Sequence, residues 1–102
     1  MTDESLINKI KYFSLGLSDT PPNLLILATD KRLAYKKGGP LGKDILSLMD
    51  IFMAAQNIML LATEKNIGTC AIKSFNKKAI EKLLEVPKNI DIELIIALGY
   101  PV

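Results

Sequence analysis

The first apolar pattern along the chain has the spacing of one helix face. Four apolar residues recur at intervals of three or four positions: Leu6, Ile10, Phe13 and Leu17. Thr2 can cap this helix with its hydroxyl, and two carboxylates follow at the positive end of the helix dipole. The pattern therefore predicts a first helix that ends near Gly16 or Ser18.

Three short apolar segments, at residues 23–29, 69–72 and 92–98, predict strands. The first of them follows Pro21 and Pro22, which cannot continue a helix. A continuous apolar run is typical of a strand that is covered on both faces. This pattern favours a helix-covered sheet of the α/β kind over an antiparallel sheet with one wet face, although not every strand pair need be parallel.

Residues 44–66 contain neither Gly nor Pro and predict one long helix of about 33 Å. Its polar residues form a narrow stripe at intervals of seven: Lys43, Asp50, Asn57 and Glu64. One small domain has too few neighbours to cover a helix that is apolar nearly all round, so we expect a second subunit to pack there in a symmetric dimer. Asp50, Gln56 and Asn57 are expected to cap neighbouring backbone or to form hydrogen bonds across that interface.

The remaining segments complete the predicted order of elements. Asn76 is expected to cap a shorter helix, which Pro87 ends. Residues 31–43 are predicted to be a glycine-rich cationic loop. The helices and strands then alternate in the α/β-like order α, β, α, β, α, β, and they form one domain over residues 1–102.

The glycines of the predicted loop lead into a helix, which is the arrangement of a phosphate-binding loop. Gly38 and Gly42 enclose three residues instead of four, and Asp44 stands where a Walker motif requires Ser or Thr. A nucleoside triphosphate site is therefore disfavoured. A solvated loop, or a cationic loop that contacts the phosphate of another ligand, remains open.

Composition removes much of the usual side-chain chemistry. The 102 residues include no His, no Trp and one Cys, and the net charge is +2. A histidine-based triad and a histidine or zinc metal site are thereby excluded. Cys70 lies between apolar residues of a predicted strand, which favours a buried structural thiol over a nucleophile. No catalytic side chain and no metal are predicted, which leaves chemistry that a bound cofactor supplies.

The charge pattern restricts location and partners. The N-terminus is acidic and shows no secretory signal pattern, and a single thiol fits the reducing cytoplasm. Residues 45–63 have the length of a membrane span, but Asp50 would cost roughly 2.5–3.5 kcal/mol at a bilayer centre, so a membrane segment is not expected. Twelve of the thirteen cations are Lys, which disfavours nucleic-acid recognition.

Several segments together resemble the FMN-dependent nitroreductase family over about residues 20–101. Residues 50–62, DIFMAAQNIMLLA, resemble the family's D-x-x-x-A-x-Q-N-x-x-L-A-A helix, and residues 66–75, NIGTCAIKSF, resemble its L-G-T-C-W-I-G-x-F segment. Residues 22–30 are similar to its Pro-x-x-Ile strand. Residues 79–87 resemble its Leu-Leu-x-Leu-Pro segment, and residues 97–101, ALGYP, its A-x-G-Y-P ending.

The resemblance implies an α+β fold, a truncated nitroreductase-like sandwich of helices on a small sheet, in an intertwined homodimer that binds FMN at its interface. It also implies hydride transfer from NADH or NADPH to a nitroaromatic, quinone or flavin acceptor. Ile72, Lys73 and Ser74 match the turn whose backbone N–H groups face the flavin, and Gln56 and Asn57 match the family's interface helix. The chain shows no Arg-Ser-x-Arg phosphate clamp, has Lys73 at a usual Gly and Ala71 at a usual Trp.

Four cations are candidate phosphate contacts in place of that clamp: Lys31, Arg32, Lys36 and Lys37. Two hypotheses follow from the resemblance. The first is a short flavoprotein oxidoreductase with FMN between two subunits. The second is a dimeric binding or structural remnant of the family that has lost FMN.

Overall fold

The computed structural model describes residues 1–14 and 21–100. Helices and strands follow one another along the chain as α1 (Glu4–Tyr12), β1 (Asn23–Asp30), α2 (Lys31–Leu41), α3 (Ser47–Glu64), β2 (Gly68–Ile72), α4 (Lys77–Leu83) and β3 (Ile90–Gly99). A π-helical turn, Gly42–Leu46, joins α2 to α3. The α+β class predicted from the sequence is confirmed.

The three strands form one antiparallel sheet in the order β1-β3-β2. The α/β type of sheet expected from the continuous apolar runs is therefore wrong. Only the central strand β3 is buried along most of its length, whereas β1 and β2 lie at the edges and are half-buried. A continuous apolar run indicates that both faces of a strand are covered, but it does not indicate whether neighbouring strands run parallel or antiparallel.

Helices cover both faces of the sheet. On one face, Ile7 and Ile10 of α1 and Ile80 of α4 pack in one cluster with Ile92 and Ile95 of β3. On the other face, Ala55 of α3 packs with Leu94 and Ile96. β3 thus supplies both layers of the core, because successive side chains of a strand point to opposite faces.

The alternation along β3 is interrupted at Glu93. Leu27 of β1 is opposite Leu94, and the next residue, Ala28, is opposite Ile92, so Glu93 is an extra residue without a partner on β1. Such a β-bulge re-aims the side chain of the extra residue. The first half of β3 consequently directs a carboxylate away from the regular pleat.

The prediction of a loop over residues 31–43 is wrong, because most of this segment is helical. The carboxylate of Asp30 caps α2 by accepting a hydrogen bond from the N–H of Leu33 at 3.1 Å. Gly39 alone leaves helical geometry, with φ +62° and ψ −154°, and Pro40 begins the next helical stretch. The glycines therefore mark a kink between two helices, where an uninterrupted loop was expected.

The kink folds α2 back on the π-helical turn. A Cβ atom added at Gly42 would lie 2.9 Å from the carbonyl oxygen of Ala34, so the close approach of these two segments requires glycine. Lys31 ties the same two segments together through its ammonium group, which donates to the carbonyl of Lys43 at 3.2 Å and lies 3.4 Å from the Ser47 hydroxyl.

The boundaries of α3 and α4 are close to the predicted ones, whereas those of α1 differ. The long helix is confirmed as α3, and Asn76 caps α4 by accepting from the N–H of Ala79 at 3.1 Å. The cap of α1 is Asp3, where Thr2 was expected. That helix ends at Tyr12, earlier than predicted, and Gly16, Leu17 and Ser18 lie outside the described residues.

Candidate functional site

The turn from β2 into α4 carries the residues that resemble the flavin-facing segment. Ile72 is buried and ends the pairing of β2 with β3, whereas Lys73 and Ser74 lie beyond the paired strand and are exposed. The Lys73 carbonyl accepts a hydrogen bond from the N–H of Phe75 at 3.0 Å. The N–H groups of Lys73 and Ser74 have no acceptor among the described residues, so the turn presents two backbone donors to a ligand.

The C-terminal end of α1 supports this turn. The N–H of Asn76 donates to the carbonyl of Phe13 at 2.7 Å, and Ser14 forms an isolated antiparallel bridge with Phe75. An open cavity of about 460 Å³ lies between the two segments and is lined by Tyr12, Phe13, Ser74, Phe75 and Asn76. Aromatic side chains therefore flank the exposed donors.

An ionic cluster around one buried carboxylate lies behind the turn, and we call it the Glu93 cluster. Glu93 is only 5% exposed, and three ammonium groups surround its carboxylate. Lys31 lies 3.2 Å and Lys77 3.7 Å from Oε1, and Lys73 lies 3.6 Å from Oε2. Asp91 completes the cluster, with its carboxylate 3.4 Å from the Lys77 ammonium.

Glu93 connects three elements at one end of the sheet. Its lysine partners come from the first residue of α2, from the β2–α4 turn and from the first residue of α4. Lys73 is held most tightly, because its ammonium also donates to the main-chain carbonyl of Glu93 at 2.6 Å. A buried carboxylate is costly unless it is paired, and the lysines meet that requirement here.

Sequence reasoning missed Glu93, Asp91 and Lys77. Residues 92–98 were treated as one apolar strand, although Glu93 is a single charge inside that run. A carboxylate at a position that must be buried is a signal for paired cations. The identity of those cations depends on the bulge and on the tertiary contacts, which the sequence pattern does not contain.

The four candidate phosphate contacts do not share one environment. Lys31 is engaged by Glu93 and, at 4.0 Å, by Asp91. Arg32, Lys36 and Lys37 are exposed on α2 and form no ion pair with the rest of the described chain. The structure thus brings Lys31 and Lys73 together at Glu93, whereas the other three cations lie on the exposed surface of α2, where the charge of Arg32 acts on the Asp30 carboxylate.

The long helix exposes a broad apolar surface in the single chain. Met49, Met53 and Leu60 recur at spacings of four and seven residues, and we call these three side chains the outer face of α3. Leu46 of the preceding π-helical turn is also exposed. The opposite side of the helix packs on the sheet through Ala55, and Ala62, seven residues further along the same side, is also buried. An uncovered apolar stripe of this size is typical of a protein interface.

Three polar residues of α3 that the sequence singled out lie at the surface of the single chain. Asp50, Gln56 and Asn57 are exposed, and no described residue pairs with their side chains. Cys70 is also exposed, so the prediction of a buried thiol is wrong. Cys70 lies on the edge strand β2, whose outer side no neighbouring strand covers among the described residues.

The helical segment Lys31–Glu64 is long and apolar enough to cross a membrane by length and composition, and little of it is buried within the chain. The core helix of an assembled soluble protein passes the same test. Among the described residues, no group of three His, Cys, Asp or Glu side chains is placed to hold a metal ion.

The sequence pattern that defines the nitroreductase family matches residues 11–100 of this chain. The chain belongs to the nitroreductase family. Its fold is similar to that of a nitroreductase family protein from Clostridium novyi NT, with 25% identity, a TM-score of 0.81 and coverage of 98% of this chain and 58% of that one.

Two further solved structures share the fold. The hypothetical oxidoreductase YcnD from Bacillus subtilis has 20% identity and a TM-score of 0.86, with coverage of 100% of this chain and 47% of that one. The NADPH:FMN oxidoreductase from Vibrio harveyi, solved with NAD+, has 19% identity and a TM-score of 0.83, with coverage of 99% and 48%. The chain therefore spans about half the length of these nitroreductase-family structures.

Proposed function

We propose that this nitroreductase-family chain is a flavoprotein oxidoreductase. It binds FMN at the interface of a homodimer and transfers hydride from NADH or NADPH to a nitroaromatic, quinone or flavin acceptor. The observation that carries the proposal is the β2–α4 turn, where the N–H groups of Lys73 and Ser74 lack acceptors in the described chain. FMN would supply the redox chemistry, and the chain would bind and orient it.

The donor set of the turn fits the edge of a flavin ring. Backbone N–H groups that are held in place before the ligand arrives stabilise an electron-rich atom without reorganisation. Ile72 is fixed by its pairing with Ile95, and the N–H of Asn76 is fixed by the carbonyl of Phe13, so both ends of the turn are anchored. Lys73 and Ser74 would therefore meet the ligand in a defined geometry.

The exposed cations of α2 fit the phosphate of FMN. Arg32, Lys36 and Lys37 are exposed on one helix and form no ion pair within 4.0 Å in the described chain. Lys31 contributes differently, because its ammonium is bound to Glu93 and fixes the first turn of α2. We expect the phosphate to contact Arg32, Lys36 and Lys37, and we expect the position of α2 to orient it.

The homodimer rests on the outer face of α3. Its apolar side chains are exposed in the single chain, and a symmetric contact would bury each of them once in both subunits. Gln56 and Asn57, exposed on the same helix, would then lie close enough to the interface to form hydrogen bonds across it. Such an assembly would function in the cytoplasm, where a lone exposed thiol stays reduced.

The test is the purified protein itself. It should be yellow and release FMN on denaturation, and FMN added to stripped protein at about 100 times its dissociation constant should stabilise the folded state by about 2.7 kcal/mol. For a domain of this size, that corresponds to a rise in melting temperature of roughly 10 °C or more. A colourless dimer that gains no thermal stability from FMN, and oxidises no NADH or NADPH, would instead be a binding or structural member of the family.

A further inference from the structure

We infer that Glu93 is a positioning residue for the flavin, acting through Lys73. The inference rests on the proposed function, because it assigns a role toward bound FMN. Glu93 does not reach the exposed side of the turn. Its carboxylate lies behind the turn and contacts the ammonium of Lys73, whose backbone N–H is one of the two donors without an acceptor among residues 1–14 and 21–100.

The β-bulge is the structural reason that Glu93 can do this. As the extra residue opposite Leu27 and Ala28, it leaves the regular alternation and directs its side chain to the end of the sheet where β2 stops. Bulges are frequent next to active sites because they re-aim one side chain without disturbing the rest of the strand. Its neighbours Ile92 and Leu94 remain in the two core layers.

The contacts of Lys73 fix both its side chain and the turn that carries it. The ammonium donates to the main-chain carbonyl of Glu93 at 2.6 Å and lies 3.6 Å from its carboxylate, so the half-exposed side chain is tied to β3 at its far end. A lysine stem anchored at its far end restricts the backbone at its near end. The free N–H groups of Lys73 and Ser74 are thereby kept in one orientation.

The pair also sets the charge next to the flavin. The ammonium of Lys73 is half-exposed, and the buried carboxylate of Glu93 compensates it at close range. Reduced flavin carries more negative charge than oxidised flavin, so an uncompensated ammonium beside it favours reduction and an uncompensated carboxylate opposes it. Glu93 and Lys73 therefore have opposite effects on the midpoint potential of bound FMN.

Three variants separate this role from a structural one. Glu93→Gln keeps the shape and removes the charge, Lys73→Met removes the ammonium and keeps the backbone N–H, and the third variant combines both. Lys77→Met is the matched control, because Lys77 also contacts Glu93, at 3.7 Å, but lies on α4 beyond the turn. All four proteins are compared as folded, FMN-loaded protein, with circular dichroism to confirm the fold.

We expect Glu93→Gln to weaken FMN binding about fivefold, the upper scale of one partly exposed ion pair, and to raise the midpoint potential. Lys73→Met should weaken binding by a similar factor and lower the potential. The double variant should bind no more weakly than Lys73→Met alone, with a potential near that of the wild type. Lys77→Met should change FMN affinity less than twofold, within the scatter of independent sites.

Other outcomes overturn the inference and identify what failed. Suppose that the wild type binds FMN, but that the losses of FMN affinity from Glu93→Gln and Lys73→Met are additive or that the two midpoint potentials shift in the same direction. Glu93 then does not act through Lys73, while the proposed function stands. If Glu93→Gln and Lys77→Met behave alike, the Glu93 cluster is only structural. If the wild-type protein binds no FMN, the proposed function fails and the role of Glu93 toward flavin fails with it.

Discussion

Replacing Met53 by Asp should separate the proposed dimer into folded monomers. Met53 is 62% exposed in the single chain and lies on the outer face of α3, away from the core that Ala55 joins. The substitution removes apolar area from the interface and places a carboxylate there. The fold of the monomer should tolerate the change, because the side chain has few contacts within its own chain.

The magnitude follows from the exposed fraction. Burying a whole methionine side chain contributes about 1.5–3 kcal/mol, so covering the exposed part of Met53 contributes roughly 1–2 kcal/mol in each copy. A symmetric interface contains the residue twice, which doubles the loss to roughly 2–4 kcal/mol and raises the dissociation constant roughly 30- to 1000-fold. Two like charges near the symmetry axis add to this loss.

Sedimentation velocity over a concentration series measures the effect, with native mass spectrometry as a second readout. Lys82→Asp is the matched control, since Lys82 is exposed and lies on α4, on the opposite face of the sheet from α3. We expect the Lys82 variant to remain dimeric. A Met53 variant that dimerises as strongly as the wild type, or a monomeric wild type, would refute the assignment of the outer face of α3 to a second copy.

Two further substitutions test the segment that was predicted as a loop. The pKa of Asp30 is lowered, first by the N–H of Leu33 and then by the amide of Asn89, so the ionised cap stabilises the fold above the ordinary aspartate pKa and this stabilisation is lost as pH falls through the lowered value. Asp30→Asn keeps the capping oxygen and removes its charge, so it should unfold at lower urea concentration than the wild type at pH 7, with a gap that closes in acid; a gap that is constant with pH would contradict the contribution of the charge. Gly42→Ala should cost about 1–3 kcal/mol in urea unfolding because of the Ala34 carbonyl, whereas Gly38→Ala, at a position with open space, should not destabilise the protein.

The local elements could largely be predicted because each rests on short-range signals. Asn76 caps α4, and the apolar run at residues 23–29 forms β1, as the patterns indicate. Segment 31–43 was missed because Gly38, Gly39 and Pro40 suggest a loop, whereas Asp30 supplies a cap and α2 packs back on the next turn. Tertiary contact outweighed local propensity there.

Part of the candidate site was predictable, and part was not. The turn at residues 72–74 was identified through a resemblance in sequence, and the structure shows that two of its N–H groups are free in the described chain. The Glu93 cluster joins residues that are up to 62 positions apart, Lys31 and Glu93. No periodicity links such positions, and the bulge that directs Glu93 to them depends on the register between two strands.

The buried carboxylate of Glu93 is stabilised within the single chain, whereas the exposed apolar face of α3 needs a partner to cover it. Glu93 needs cations from three elements before it is stable in the interior, so the cluster forms only when α2, α4 and the turn are all in place. The outer face of α3 needs cover that the described chain does not provide. Folding of the single chain can therefore organise the turn, while association is left to enclose whatever binds there. This division predicts that a monomeric Met53→Asp variant keeps the Glu93–Lys73 contact and the fold, yet binds FMN more weakly than the wild type.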